Sequence, residues 1–183
     1  MKKVLSFLLT LCLGFTLTAC SSSSSGDKDS GSSDASSAVD FSKYPSSLNE
    51  WTGQNFIDYF KEYGLFTDGN GAETWTQDHA NYWPGTPVKE AAGWWDDAGT
   101  FLVMVLIHDE TLPDTSKADY DAWMSQLKDK HMMTEDFGSM PVDHLVGNVG
   151  FTFETTVTDD EIYNKTLQAY NDLLAALKVK AEY

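Results

Sequence analysis

The segment from Phe101 to Ile107 restricts the fold most, because every residue in it is apolar. The run is rich in Val and too short for an isolated buried helix, which predicts a central strand covered on both faces. The residues 96–99, Asp-Asp-Ala-Gly, are typical of a tight turn directly before it. Trp94 and Trp95 are therefore expected on a partner strand, joined to the apolar run as a hairpin.

Four further segments carry the spacing of regular structure. Helical periodicity marks Gly53–Tyr63, a second helix is expected to start near Lys117, and the capping box Thr158–Glu161 predicts the start of a third. Val149–Val157 alternates between two faces, as a half-buried strand does. Together these segments predict an α+β domain. We expect a sheet of three to five antiparallel or mixed strands with about three helices packed on one face.

The N-terminus carries the features of an export signal. Two lysines precede an apolar stretch of signal-peptide length, which ends in the residues 17–20, Leu-Thr-Ala-Cys. This ending resembles the lipobox of bacterial lipoproteins, and the resemblance covers residues 1–20 only. It implies transfer of a diacylglycerol group to the Cys20 sulfur, cleavage after Ala19 and lasting attachment to a membrane through acyl chains. Residues 1–19 are accordingly interpreted as a cleaved signal peptide.

A spacer follows the lipidated cysteine. Residues 21–39 are nearly all Ser, Gly, Asp and Ala, which cannot form a core, so residues 20–39 are predicted to act as a flexible linker. This spacer is similar to those of Gram-positive lipoproteins. Together, the export signal and the resemblance to a lipobox imply anchoring on the extracytoplasmic face of the cell membrane. The remaining residues, 40–183, have the length of one domain. The only other cysteine, Cys12, lies in the removed part, so the domain is expected to rely on its core without a disulfide.

The charge of the chain limits its partners. The net charge is −16 and the sequence contains no Arg. Nucleic acids and anionic lipid head groups need clustered cations, so we expect no nucleic-acid partner and no direct docking on such lipids. Cationic partners and neutral ligands such as glycans remain open.

Aromatic residues are the most suggestive feature of the domain. Five Trp and Tyr residues fall within the 21 residues from 75 to 95, and two carboxylates follow directly. Flat rings beside carboxylates suit sugar binding, because a ring face packs on the C–H face of a sugar while the acids bind hydroxyls. The alternative is that the rings fill the core beneath a long loop. The candidate ligand-binding residues are Trp75, Tyr82, Trp83, Trp94, Trp95, Asp96 and Asp97.

Metal binding has weaker indications. His108 and Asp109 directly follow the apolar run, and imidazole and carboxylate are ligands that Zn²⁺ accepts. The residues 68–73 place oxygen atoms at alternating positions, as a Ca²⁺ loop does, but Ala72 and His79 stand where an EF-hand needs oxygen ligands. A simple turn is favoured there, and no cofactor is expected.

The sequence shows no nucleophile elbow, glycine-rich phosphate loop or dinucleotide fingerprint. The leading hypothesis is therefore a non-enzymatic extracytoplasmic module that binds a ligand or a partner, with glycans, peptides and envelope proteins as candidates. One alternative is a metal-assisted hydrolase that uses His108 and Asp109. Another is a structural partner in a cell-envelope complex.

Overall fold

The computed structural model describes residues 39–65, 71–76, 86–135 and 138–183, which belong to one compact unit. Two short 3₁₀ turns, Phe41–Lys43 and Leu48–Glu50, precede the first helix. The helices within these ranges are α1 (Gly53–Glu62), α2 (Lys117–Lys130) and α3 (Asp160–Leu177). The strands are β1 (Gly71–Thr76), β2 (Val88–Trp95), β3 (Phe101–His108), β4 (Met132–Glu135), β5 (Gly138–Pro141), β6 (His144–Val146) and β7 (Val149–Thr152).

Five of the strands form one antiparallel sheet in the order β1-β2-β3-β7-β6, and β4 pairs with β5 in a separate hairpin. The predicted apolar run is β3, the central strand of the sheet, and both of its faces are largely buried. The α+β class and the antiparallel sheet are thus confirmed.

The β2–β3 hairpin forms where the sequence predicts it. The Asp96 carboxylate accepts hydrogen bonds from the backbone N–H of Ala98, at 2.9 Å, and of Thr100, at 2.8 Å. Gly99 takes a positive φ of 81°, which glycine adopts without steric cost. Asp96 therefore has a structural role in closing this turn.

Helices α1 and α3 cover one face of the sheet. Phe60 of α1 packs against Trp94 of β2, with ring centroids 4.6 Å apart, and Phe56 contacts Phe151 of β7 edge to face. The Tyr59 hydroxyl donates a 2.6 Å hydrogen bond to the backbone oxygen of Ala169 in α3. This bond satisfies a buried hydroxyl and fixes the two helices to each other above the sheet.

Helix α2 and the β4–β5 hairpin cover the opposite face, where Leu127 and Met133 pack with Leu106 of β3. This arrangement differs from the expectation that all helices share one face. The physical reason is that β3 is apolar on both sides, so each side requires its own cover. A helix on one side alone would leave Leu106 and its neighbours in water.

Two boundaries also differ from the sequence pattern. The alternation extends to Val157, but β7 ends at Thr152. The Asp143 carboxylate accepts hydrogen bonds from the N–H groups of Phe153 and Glu154, which turns the backbone away from the sheet. Helix α3 begins one residue later than the capping box predicts, because the side chain of Asp159 caps it.

A search of the helices among these residues finds none with the length and apolar character that crossing a bilayer requires. The predicted signal peptide, Cys20 and nearly all of the predicted linker lie outside the described residues.

Replacing Trp94 with Ala is expected to destabilise the domain by about 3–5 kcal/mol, because it removes a fully buried indole and leaves a cavity beside Phe60. Trp95→Ala is the matched control on the neighbouring residue, whose side chain points to the other face and is only half-buried. Urea denaturation of both variants measures the difference. Equal losses of unfolding free energy in the two variants would contradict the assignment of Trp94 to the core.

Candidate functional site

Strand geometry separates the two adjacent tryptophans of β2. Trp94 is 0% exposed and belongs to the cluster beneath α1 and α3, so its ring lies in the core and no face of it is open to a ligand. Trp95 points to the opposite face, where it is half-buried. Of the two, only Trp95 is positioned to contact a bound molecule.

Three aromatic rings lie together at the end of the sheet near the β2–β3 turn. The Trp75 and Trp95 rings are roughly parallel, at 27° and 6.4 Å, and Phe101 meets Trp95 edge to face at 5.7 Å. The backbone pairing explains the cluster, because Trp95 lies opposite both Gly71 of β1 and Phe101 of β3. We call Trp75, Trp95 and Phe101 the aromatic platform.

Two glycines allow these rings to lie against the sheet. A Cβ atom at Gly71 would stand 2.2 Å from the Trp95 indole, and one at Gly93 would stand 3.0 Å from Trp75 and 3.2 Å from Phe101. The rings therefore occupy space that a side chain at either position would fill.

The outer part of the platform is accessible. Phe101 is 37% exposed and Trp95 is half-buried, whereas Trp75 is only 8% exposed and packs in the buried cluster with Leu106. Glu73 is exposed and lies opposite Gly93, on the same side of the sheet as the rings. The arrangement therefore places a carboxylate beside flat apolar surfaces.

Of the other predicted binding residues, the structure describes Trp94, Asp96 and Asp97, and it does not bring these three together at the platform. Asp96 is engaged in the turn, and Asp97 is exposed at its tip. Tyr82 and Trp83 lie outside the described residues, as do residues 68–70 of the possible Ca²⁺ loop. Phe101 was missed because it was counted with the apolar strand. Its position at the start of the apolar run, directly after the turn and opposite Trp95, is the sequence signal that distinguishes it from the buried residues of the strand.

His108, the first candidate metal ligand, is completely buried. Its Nδ1 atom lies 3.0 Å from the backbone oxygen of Asn148, and the Asn148 amide donates a 2.7 Å hydrogen bond to the His108 oxygen. A carbonyl only accepts, so the neutral ring carries its proton on Nδ1 and leaves Nε2 as an acceptor. Burial lowers the pKa of His108 to about 4, which keeps the ring neutral.

Asp109, the second candidate ligand, forms its hydrogen bonds within its own loop. Its carboxylate accepts hydrogen bonds from the N–H and hydroxyl of Thr111 and lies 3.6 Å from the Lys89 ammonium. The hydrogen bonds of Thr111 hold the pKa of this carboxyl below its usual value. Across the described ranges, no three His, Cys, Asp or Glu side chains come together as a possible metal site.

Comparison of the chain with protein-family models, with curated proteins and with solved structures finds no match. The chemistry of the site therefore rests on its own geometry. The aromatic platform offers apolar ring faces and a nearby carboxylate.

We expect the domain to lose stability as the pH falls from about 6.5 to about 4, because His108 has a pKa of 6.5 when unfolded and about 4 when folded. Above pH 6.5 the His108 ring is neutral in both the folded and the unfolded chain, so its contribution to the free energy of unfolding is fully present. Between about pH 6.5 and 4 the ring is protonated in the unfolded chain but stays neutral in the folded chain, and this difference favours unfolding. The loss from this group is on the order of 3 kcal/mol. Urea denaturation between pH 4 and 7 measures it.

The comparison variant is His108→Asn, whose amide nitrogen replaces Nδ1 toward the Asn148 oxygen but does not titrate. Its unfolding free energy should depend less steeply on pH than that of the unmodified protein. Identical slopes in the two proteins would show that His108 does not carry this dependence.

Proposed function

We propose that this chain is a lipoprotein, anchored through Cys20 on the extracytoplasmic face of a cell membrane, whose domain binds a ligand without catalysing a reaction. The aromatic platform is its binding site. The observation that carries this proposal is the pair of glycines, Gly71 and Gly93, which leave the rings of Trp75, Trp95 and Phe101 room to lie against the sheet. The exposure of Phe101 adds support, because an apolar ring in water is stabilised by contact with a ligand.

A glycan suits this site best among the candidate ligands. The C–H face of a sugar packs on an indole or phenyl face, and the Glu73 carboxylate is placed to accept hydrogen bonds from sugar hydroxyls. The net charge of −16 disfavours anionic ligands, whereas a neutral sugar meets no repulsion. The chemistry favours a neutral oligosaccharide that spans two or more rings.

A thermal-shift screen of the detergent-purified protein against neutral cell-wall and dietary oligosaccharides tests the site. A ligand at about one hundred times its dissociation constant adds about 2.7 kcal/mol, which should raise the melting temperature by roughly 5 °C or more. Trp95→Ala should abolish the shift, and Gly71→Ala should do so too, because its new Cβ atom displaces the Trp95 ring.

Met132→Ala is the matched control, because Met132 is also 37% exposed but lies in the β4–β5 hairpin. It should bind as the unmodified protein does. A shift that survives Trp95→Ala would place the glycan elsewhere. If no oligosaccharide gives a shift, the glycan proposal fails, and the platform would be tested next by co-purification of an envelope protein.

The membrane anchor is tested separately with Cys20→Ser, which removes the sulfur that would carry the lipid. We expect the unmodified protein to partition into a nonionic detergent phase and the variant into the aqueous phase, because the acyl chains supply the apolar surface. Ser21→Ala, which leaves the cysteine in place, should partition as the unmodified protein. Identical partitioning of the Cys20 variant and the unmodified protein would overturn the lipidation of Cys20.

A further inference from the structure

The last residues of the sequence lie along an outer strand of the sheet. Strand β6 stands at the opposite edge from β1, and the backbone N–H of Glu182 donates a 2.7 Å hydrogen bond to the backbone oxygen of Leu145 in β6. The Lys128 ammonium of α2 lies 3.3 Å from the Glu182 carboxylate. We call residues 179–183 the strap. It is separate from the proposed glycan site, whose rings lie on β1, β2 and β3.

Two histidines contact Tyr183, the final residue of the strap. The ring of His131, at the C-terminal cap of α2, is stacked on the Tyr183 ring, with centroids 3.7 Å apart and 3° between the planes. The Nδ1 atom of His144, in β6, lies 3.3 Å from the Tyr183 backbone oxygen. The end of the strap is therefore held by a ring face on one side and by an imidazole nitrogen on the other.

The other ring nitrogen of His144 faces a carboxylate. Its Nε2 atom lies 3.0 Å from Oε1 of Glu154, and the same oxygen accepts a 3.3 Å hydrogen bond from the Tyr163 hydroxyl. Asp143 directly precedes His144, and its carboxylate accepts a hydrogen bond from the Glu154 N–H. The charged groups around His144 in the described ranges are thus acidic, and one of them is in direct contact with the ring.

The hydroxyl of Tyr183 opposes closure of the strap. It is buried and forms no hydrogen bond with the residues that the structure describes, so closure removes it from water without replacing its hydrogen bonds. Burial raises the pKa of Tyr183 to about 12. Burial also raises the pKa of Tyr163 and that of Tyr170, whose ring is stacked on His144 at 4.8 Å. These phenols stay uncharged near neutral pH, so closure depends on the histidine, lysine and backbone contacts.

Only the protonated form of His144 can satisfy both of its neighbours. The Tyr183 backbone oxygen and the ionised Glu154 carboxylate accept hydrogen bonds and donate none. A neutral imidazole carries one N–H, whereas an imidazolium carries two. When His144 is neutral, its single N–H stays with Glu154, because that oxygen is charged and nearer. The lone pair of Nδ1 then faces the Tyr183 oxygen, and the hydrogen bond to the end of the strap is lost.

We propose that the strap is a pH-dependent latch on the edge of β6, closed while His144 is protonated and released when His144 loses its proton. Release uncovers the backbone oxygen of Leu145 and returns the Tyr183 hydroxyl to water. The direction is opposite to that of His108, whose burial makes the whole fold less stable as the pH falls. A latch that tightens as the pH falls is therefore distinguishable from a change in the stability of the domain.

Hydrogen exchange of the detergent-purified full protein tests the latch, with mass spectrometry of the peptide that contains Glu182. The readout is the protection factor, in which the observed rate is divided into the rate of an unstructured peptide at the same pH. Protection should be roughly tenfold greater at about pH 5.5 than at about pH 7.5, a range in which histidines change charge and ordinary carboxylates do not. Equal protection at the two pH values, or greater protection at the higher one, would overturn the proposal.

Variants assign the effect to His144. His131→Phe keeps a flat ring against Tyr183 but cannot titrate, so it should retain the pH dependence. Adding His144→Gln should give equal protection at both pH values. Lys128→Met is the control, because it breaks the ion pair with Glu182 and should lower protection by the same factor at each pH.

A pH dependence that survives in the double variant, or that disappears in His131→Phe alone, would overturn the assignment to His144. Exchange of a peptide from β3 reports whether each variant is folded, and the unmodified protein decides the direction by itself. The outcome is independent of the glycan proposal, because Trp95→Ala should leave the protection of the strap intact.

Discussion

Burial of β3 on both faces is the constraint on which the rest of the structure depends. An alternating apolar strand needs one covering layer, but Phe101–Ile107 is apolar at every position and needs two. Helices α1 and α3 supply one layer, and α2 with the β4–β5 hairpin supplies the other. Because hydrophobic stabilisation follows the apolar area removed from water, a single layer would leave half of this strand unfavourably exposed.

The same two-sided sheet decides what each aromatic residue can do. Successive side chains point to opposite faces, so Trp94 enters the core beneath α1 whereas Trp95 joins Trp75 and Phe101 on the other side. The tight β2–β3 turn brings Trp95 and Phe101 opposite each other, and small residues beneath the rings let them pack against the backbone. Core stability and the candidate binding surface thus arise from one hairpin.

The ends of β2 provide two surfaces of different chemistry. The turn end presents the rings of Trp95 and Phe101, with Glu73 on the same side of the sheet, whereas the end at Pro87 opens on a groove lined by two carboxylates and a single indole. His108 stands behind that indole at the end of β3, enclosed and held by Asn148. His108 is completely buried and does not line this groove.

The sequence alone determined the elements with strong local signals: the central strand, the hairpin with its Asp-containing turn, and the existence of the three helices. It also contains the segment that resembles a lipobox, on which the proposed anchoring at Cys20 rests. The tertiary structure decided that α2 covers the second face, that Asp143 ends β7 at Thr152, and which tryptophan is buried. The periodicity of a sequence shows which residues share a face of a helix or strand. Which of those faces is buried in the core depends on contacts between segments far apart in the chain.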